Sequence, residues 1–324
     1  MTTLADIEEA AERIREVAVE TPLLQSAVLD EQVGGSVLLK PECFQRTGSF
    51  KIRGAYNLLS QLEPEAAARG AVAWSSGNHA QGVAAAGRML GIHTAIVMPE
   101  DAPRAKLENT RRLGGEVITF DRYTGDREEI ARTLAVERDA VIVPSYEHQD
   151  IIAGQGTVGL EIANQSTALG MPVEQVIIPC GGGGLTSGSA VALKSLLPDV
   201  QIYTAEPEHY DDTLQSLQRG ERVSVPTDVP SLCDALLTNA PGKLTFEIMK
   251  DLVTGGFVVT EAEVKAAMRF AFQEMSLVVE PGGAAALAAL LAGHFDTKNR
   301  VTAVVLSGGN VDADLFGSIQ VDPA

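Results

Sequence analysis

Short apolar runs rich in β-branched residues recur along the chain at 71–75, 93–99, 116–121, 140–145, 175–180, 201–206 and 300–307. Between them, 78–90, 105–113, 127–137 and 185–196 carry apolar residues at three- and four-residue spacing. The runs predict buried strands, and the spaced stretches predict helices with one apolar face. Strand–helix alternation of this kind makes an α/β fold, with mainly parallel sheets covered by helices on both faces. No internal repeat, low-complexity tract or long linker interrupts it. Any division into two domains is therefore a cleft within a continuous α/β body. In such folds ligands bind at the carboxyl ends of strands, in the turns that lead into helices.

Composition narrows the class of function. A chain of 324 residues, 45% hydrophobic and 21% charged, can bury a sizeable core. Its formal net charge of −18 argues against nucleic acid, because phosphate backbones are held by clustered Lys and Arg. No run approaches the roughly 18 apolar residues of a membrane span, and the charged, amphipathic start MTTLADIEEAAERIREV does not read as a secretion signal. Cys43, Cys180 and Cys233 lie far apart, which suits reduced thiols and a cytoplasmic location.

Four turns concentrate the chemistry. The run 175–180 leads into Gly181, Gly182, Gly183 and Gly184, and then into the helical stretch that opens with Leu185. Residues without Cβ let the backbone wrap an anion at the positive end of a helix. There is no dinucleotide fingerprint and no Gly-Lys-Ser/Thr, so a single phosphate suits the loop better; a flexible surface turn is the plain alternative. In Thr47-Gly-Ser-Phe-Lys51-Ile-Arg-Gly-Ala, Ser49 is placed as helix N-cap, which puts Lys51 in the first helical turn. There the dipole and burial lower a lysine's pKa and free an amine for attack on a carbonyl. An ordinary surface lysine is the alternative. After the strand at 71–75, Ser75-Ser76-Gly77-Asn78-His79 gathers donors at a helix start, either to hold a carboxylate or simply to cap the helix. The fourth turn, Ser307-Gly-Gly-Asn310, is unremarkable alone.

In this order, Thr-Gly-Ser-Phe-Lys, Ser-Ser-Gly-Asn-His-Ala-Gln-Gly, the four glycines with Leu185, and Leu-Ser-Gly-Gly-Asn together resemble the threonine dehydratase and serine racemase family. These are fold-type II enzymes that use pyridoxal 5′-phosphate (PLP). Met98-Pro-Glu-Asp-Ala-Pro, Ile152-Ala-Gly-Gln-Gly-Thr157 and Glu280-Pro-Gly-Gly fit as well, so the resemblance covers nearly the whole chain. The chain is too short for the C-terminal regulatory domain of some biosynthetic threonine dehydratases. The resemblance implies two three-layer αβα domains with the cofactor in the cleft, a large one at 1–69 and 148–324 and a small one at 70–147. It also implies a homodimer. Lys51 would be the Schiff-base lysine, Phe50 would pack on the pyridine ring, and Asn78 would meet the 3′-hydroxyl. Gly181, Gly182, Gly183, Gly184 and Leu185 would hold the phosphate, and Ser307 would accompany the pyridine nitrogen. Ser75, Ser76, Gly77, Asn78, His79 and Thr238 would bind the substrate.

Single residues choose within the family. Threonine dehydratases usually read Ser-Ala-Gly-Asn-His, whereas serine racemases and 3-hydroxyaspartate dehydratases read Ser-Ser-Gly-Asn-His, as here. Ser76 would face the cofactor opposite Lys51, and two bases on opposite faces admit either configuration at Cα; a harmless Ala-to-Ser change is the alternative. Glu206, the carbonyl of Tyr210, and Asp212 are similar in spacing to the cation site of serine racemases and hydroxyaspartate dehydratases. Oxygen ligands suit Mg²⁺ or Ca²⁺, with Mn²⁺ a further possibility, unless the acids form a solvated loop. Cys233-Asp234-Ala235 departs from the family's usual Ala-Asp-Gly. A second substrate carboxylate would need a donor such as Arg122, Tyr123, Arg127 or His148. The resulting expectation is dehydration of 3-hydroxyaspartate to oxaloacetate and ammonia. Serine/threonine dehydratase or serine racemase is the alternative within the family. A non-catalytic nucleotide-binding protein, its glycines holding ATP, is the alternative outside it.

Overall fold

The computed structural model describes residues 1–75, 77–102, 104–121, 124–226 and 229–321. Nine strands lie among them: β1 (Ser36–Pro41), β2 (Ala71–Trp74), β3 (Thr94–Pro99), β4 (Glu116–Phe120), β5 (Val141–Ile142), β6 (Gln175–Pro179), β7 (Gln201–Pro207), β8 (Gly255–Val259) and β9 (Val301–Leu306). They form a five-stranded sheet ordered β1-β9-β6-β7-β8 and a four-stranded sheet ordered β4-β3-β2-β5. Every pairing is parallel.

Both sheets are sandwiched by helices, as their near-continuous apolar strands require. In the large sheet Leu38, Val176, Ile178 and Ile202 face one core, with Val158 and Ile162 of helix Gln149–Ala168 and Leu193 of helix Gly184–Leu196. The alternate residues Val37, Leu39 and Ile177 face the other, against helices Glu261–Met275 and Pro281–Leu291. In the small sheet Ala71, Ala73 and Ile96 pack on helix Asn78–Leu90, while Val72, Ala95 and Val97 pack on helix Arg127–Arg138. Helix Lys51–Leu59 contributes Ile52, Ala55 and Leu58 to the small sheet's core. It crosses helix Asn78–Leu90 so closely that a Cβ on Gly82 would stand 3.1 Å from the backbone of Lys51 and Ile52.

The seven strand expectations hold to within a residue or two, except that 140–145 contracts to β5. Beyond Ile142 the carbonyls turn from the ladder to side chains: Val143 O lies 2.8 Å from His79 Nε2, and Ser145 O accepts from Lys51 and Gln155. Two strands escape the pattern. In β1, Lys40 interrupts the apolar run, yet it is fully buried because it pairs with Glu161 (2.6 Å). β8 opens on Gly255-Gly256, which reads as a turn. The second glycine is needed in the sheet, since its Cβ would fall 2.1 Å from Thr204 Oγ1.

Candidate active site

The Lys51 segment is built differently from the expectation. Ser49 does not cap the helix: the residue before Lys51 is Phe50, in helical conformation and without a side-chain cap. Ser49 is extended and bridges Gly308, while Phe50 N–H donates to Ser307 O (3.2 Å). The segment is thus held as a strand edge against the end of β9, and the Ser49 hydroxyl has no hydrogen-bond partner. Lys51 still opens the helix. Its Nζ donates to Ser145 O (3.1 Å) and lies 5.0 Å from the Phe50 ring centroid. Burial lowers its pKa to about 8, against a smaller upward pull from Glu280.

The glycine loop leaves β6 at Pro179 and becomes helix Gly184–Leu196. This helix start has no side-chain cap and no acidic residue in its first turn, so its N–H groups and dipole are free for an anion. Gly183 has φ +90°, and a Cβ on Gly182 would lie 2.2 Å from the Tyr146 ring. The loop is therefore a cradle that side chains would fill.

Helix Asn78–Leu90 likewise starts without a side-chain cap or an acid. Ser75 Oγ accepts from Gly77 N–H (3.2 Å). Asn78 is held from two sides: its Nδ2 donates to Glu280 Oε1 (2.5 Å), and its Oδ1 accepts from Asn310 Nδ2 (2.7 Å). Burial, then the Asp234 charge, push the Glu280 carboxyl up to about 8. Burial and the nearby Lys51 charge push His79 down to about 3, so its ring is neutral at pH 7. Its Nε2–H donates to Val143 O, which leaves Nδ1 as an acceptor, buried and without a partner in the chain.

All the described residues expected to touch cofactor or substrate, from Phe50 and Lys51 through the glycine loop to Thr238 and Ser307, line one cavity between the two sheets. Ser76, Arg122 and Tyr123 lie outside the described residues. Arg127 lines the cavity. His148 does not; its Nδ1 accepts from Asp150 N–H (3.1 Å) and caps helix Gln149–Ala168.

The acidic trio stands apart from the cavity wall, and its carboxylates are buried where a solvated loop was the alternative. Glu206 accepts from the N–H groups of Thr213 (2.8 Å) and Leu214 (2.9 Å), capping helix Asp212–Arg219 from outside its own sequence. Tyr210 is buried and donates its hydroxyl to Val229 O (2.6 Å). Asp212 Oδ1 accepts from Thr238 (3.5 Å), and Oδ2 has no hydrogen-bond partner. Burial and then the Asp212 charge raise Glu206 well above the usual carboxylate range; burial raises Asp212 to about 7. Among the described residues no group of three or more His, Cys, Asp or Glu could hold a metal ion.

Sequence reasoning missed Tyr146 and Lys106 on the cavity wall, and it noted Asp234 and Glu280 only as parts of motifs. Glu280 carried a signal, since it precedes Pro281 at a helix start. Lys106 carried none, because a lysine on an amphipathic helix reads as solvated surface.

The family model described as "Pyridoxal-phosphate dependent enzyme" matches residues 14–308. The L-threo-3-hydroxyaspartate ammonia-lyase of a Pseudomonas species is 41% identical over 319 residues, 98% of each chain. The L-threonine ammonia-lyase of Thermotoga maritima is 42% identical over 98% of this chain and 78% of its own. The structure of maize serine racemase superposes with a TM-score of 0.92 at 35% identity, covering 98% of this chain and 96% of that one. Lys51 and the glycine loop line one cavity, and the chain belongs to the family of pyridoxal-phosphate-dependent enzymes.

Proposed function

We propose that the chain is an ammonia-lyase that eliminates water from a small β-hydroxy amino acid, with 3-hydroxyaspartate as the favoured substrate. Hydrolysis of the released imine gives oxaloacetate and ammonia. The observation that carries this reading is Lys51: an amine with a depressed pKa, lining a cavity that also holds a glycine-framed helix start free of acids. A purely nucleotide-binding protein would leave that lysine without a task. The Pseudomonas relative and the cations on the cavity wall, Lys106 and Arg127, favour a substrate with a second carboxylate.

The chain's own groups suit the cofactor. Gly181 to Gly184 and Leu185 are assigned to its phosphate and Lys51 is its point of attachment. Phe50 would pack on its ring, Asn78 would meet its 3′-hydroxyl, and Ser307 its pyridine nitrogen. When bound, the cofactor supplies an electron sink for charge developing at the substrate Cα. Lys51 is then placed to remove the Cα proton as general base. Ser76 is assigned the opposite face. The start of helix Asn78–Leu90, with Ser75, Gly77, Asn78, the neutral His79 and Thr238, is assigned to the substrate's α-carboxylate.

Glu206, the Tyr210 carbonyl and Asp212 are assigned a Mg²⁺, Ca²⁺ or Mn²⁺ ion. Support comes from two buried carboxylates, of which burial and then the Asp212 charge push Glu206 up and burial pushes Asp212 up, and from an Asp212 oxygen without a hydrogen-bond partner; a divalent cation would offset all three. We also assign 70–147 as a small domain inserted in the large one, since β2 to β5 all fall within it. A homodimer is supported by Phe44, Phe272 and Val278, which are exposed and apolar. A cytoplasmic location is supported by three free cysteines. The function is tested by keto-acid release from L-threonine, both serine enantiomers and the hydroxyaspartate stereoisomers. The highest kcat/KM with a hydroxyaspartate isomer supports the reading. A higher value with serine or threonine, or conversion of L- to D-serine, moves the assignment to those activities. No keto acid from any of them refutes it.

A further inference from the structure

The cavity wall holds an ion pair that the catalytic roles leave unused. Lys106, on helix Arg104–Arg112, pairs with Asp234, and both line the cavity. The two belong to opposite sides of the cleft. Leu107, the neighbour of Lys106, packs on the small sheet's core. Asp234 sits in a turn tied to the large sheet's side, where Leu232 N–H donates to Glu261 (2.8 Å) and Cys233 is fully buried in the core. The pair is asymmetric in exposure, with the Lys106 side chain 14% exposed and that of Asp234 46%.

Three cations line the cavity among the described residues: Lys51, Lys106 and Arg127. Lys51 is committed to the cofactor. Arg127 is exposed at the start of its helix, beside Glu128 and Glu129. Lys106 is the more enclosed, so a carboxylate brought to it is less screened by water. The anion it now holds is a side-chain carboxylate at the edge of the same cavity, chemically the same group as the far end of a dicarboxylic amino acid. Exchanging one carboxylate for another leaves the charge at Lys106 balanced, and the displaced Asp234 is exposed enough to be taken up by water.

We propose that Lys106 binds the distal carboxylate of a dicarboxylic substrate, and that Asp234 pairs with Lys106 in its place when no such ligand is bound. A substrate with one carboxylate leaves the pair intact, so the pair selects by charge at the substrate's far end. This deepens the hydroxyaspartate reading and rests on it for the substrate's identity.

The test uses the holoenzyme and two unreactive four-carbon acids, succinate and butyrate, which differ in the second carboxylate. Their inhibition constants are measured with whichever amino acid the enzyme turns over. The ratio of the two constants is the readout, because a merely structural change moves both acids together. Wild type is expected to prefer succinate by at least about 10-fold, and Lys106→Gln to lose about 10-fold or more of that ratio, as a charge-assisted contact is removed. Lys106→Arg should keep most of the ratio, and Asp234→Asn should raise it severalfold because a competitor is weakened. An unchanged ratio in Lys106→Gln, an equal weakening of both acids, or no preference in wild type overturns the proposal. If Lys106→Gln does not fold, Asp234→Asn decides alone: a ratio that fails to rise overturns it. Absence of hydroxyaspartate turnover in wild type would defeat the substrate assignment while leaving the succinate-to-butyrate ratio to judge Lys106.

Discussion

Substituting Gly183 by alanine tests whether the glycine loop holds the cofactor or merely turns the chain. At φ +90° an L-residue costs about 1–2 kcal/mol relative to glycine. The new Cβ would stand 2.5 Å from Met249 Cε and 2.9 Å from Thr245 Oγ1. The methionine end can swing away. Thr245 is less free, because its hydroxyl donates to Gly182 O (2.7 Å), and losing that bond adds about 1 kcal/mol. The sum is about 2–3 kcal/mol, part of which the loop would relieve by turning N–H groups out of the cradle. With each 1.4 kcal/mol worth tenfold, the Kd for PLP should rise about 10- to 100-fold. Gly181→Ala is the milder comparison: its φ is not positive, and its Cβ would stand 3.3 Å from Leu236 Cα, which need shift only by a few tenths of an ångström, so its Kd should rise by no more than about threefold. The assay titrates the apoprotein with PLP, follows the visible band, and records melting of both apoproteins. If Gly183→Ala melts lower yet binds PLP as tightly as Gly181→Ala, the loop is a structural turn and the reasoning is wrong.

Lys51→Ala should remove both the visible band that borohydride abolishes and keto-acid release; a yellow, active variant would sink the assignment. In wild type, capture of PLP by the apoprotein should rise about fivefold from pH 7 to 8 and level off near pH 9. With a pKa of about 8 the reactive neutral amine grows from about a tenth to half of the total over that interval. A rate that still climbs nearly tenfold from pH 8 to 9 would return Lys51 to an ordinary lysine. EDTA should lower the melting temperature and Mg²⁺ or Ca²⁺ restore it, with the EDTA effect lost in Asp212→Asn. An unchanged melting temperature in wild type removes the cation. Ser76→Ala should impair hydroxyaspartate isomers of one Cα configuration by about 10²–10⁴-fold and spare the other. Equal loss for both would leave Ser76 a helix-start or carboxylate contact.

What the sequence by itself determined is local. Apolar runs marked seven of nine strands because parallel strands are buried on both faces. Glycines and donors just beyond strand ends marked the site because short turns place their residues wherever the strands end. The pattern failed where a distant partner reverses a residue's usual preference. Lys40 is buried only because Glu161 comes to it, and Gly256 belongs in a strand only because Thr204 leaves no room for a Cβ. Ser49 was read as a cap from its neighbours, but the end of β9 holds it extended. The remaining choices belong to the tertiary structure, since they depend on what meets across long separations. Asn78 finds Glu280 across 202 residues, and Lys106 finds Asp234 across 128. Glu206 caps a helix that begins six residues later, and its carboxylate is buried beside that of Asp212. Burial and neighbouring charge set the charge states of Glu206 and Glu280. Neither is a property of a residue or its neighbours in sequence, because both depend on which side chains the packed sheets and helices bring within a few ångströms.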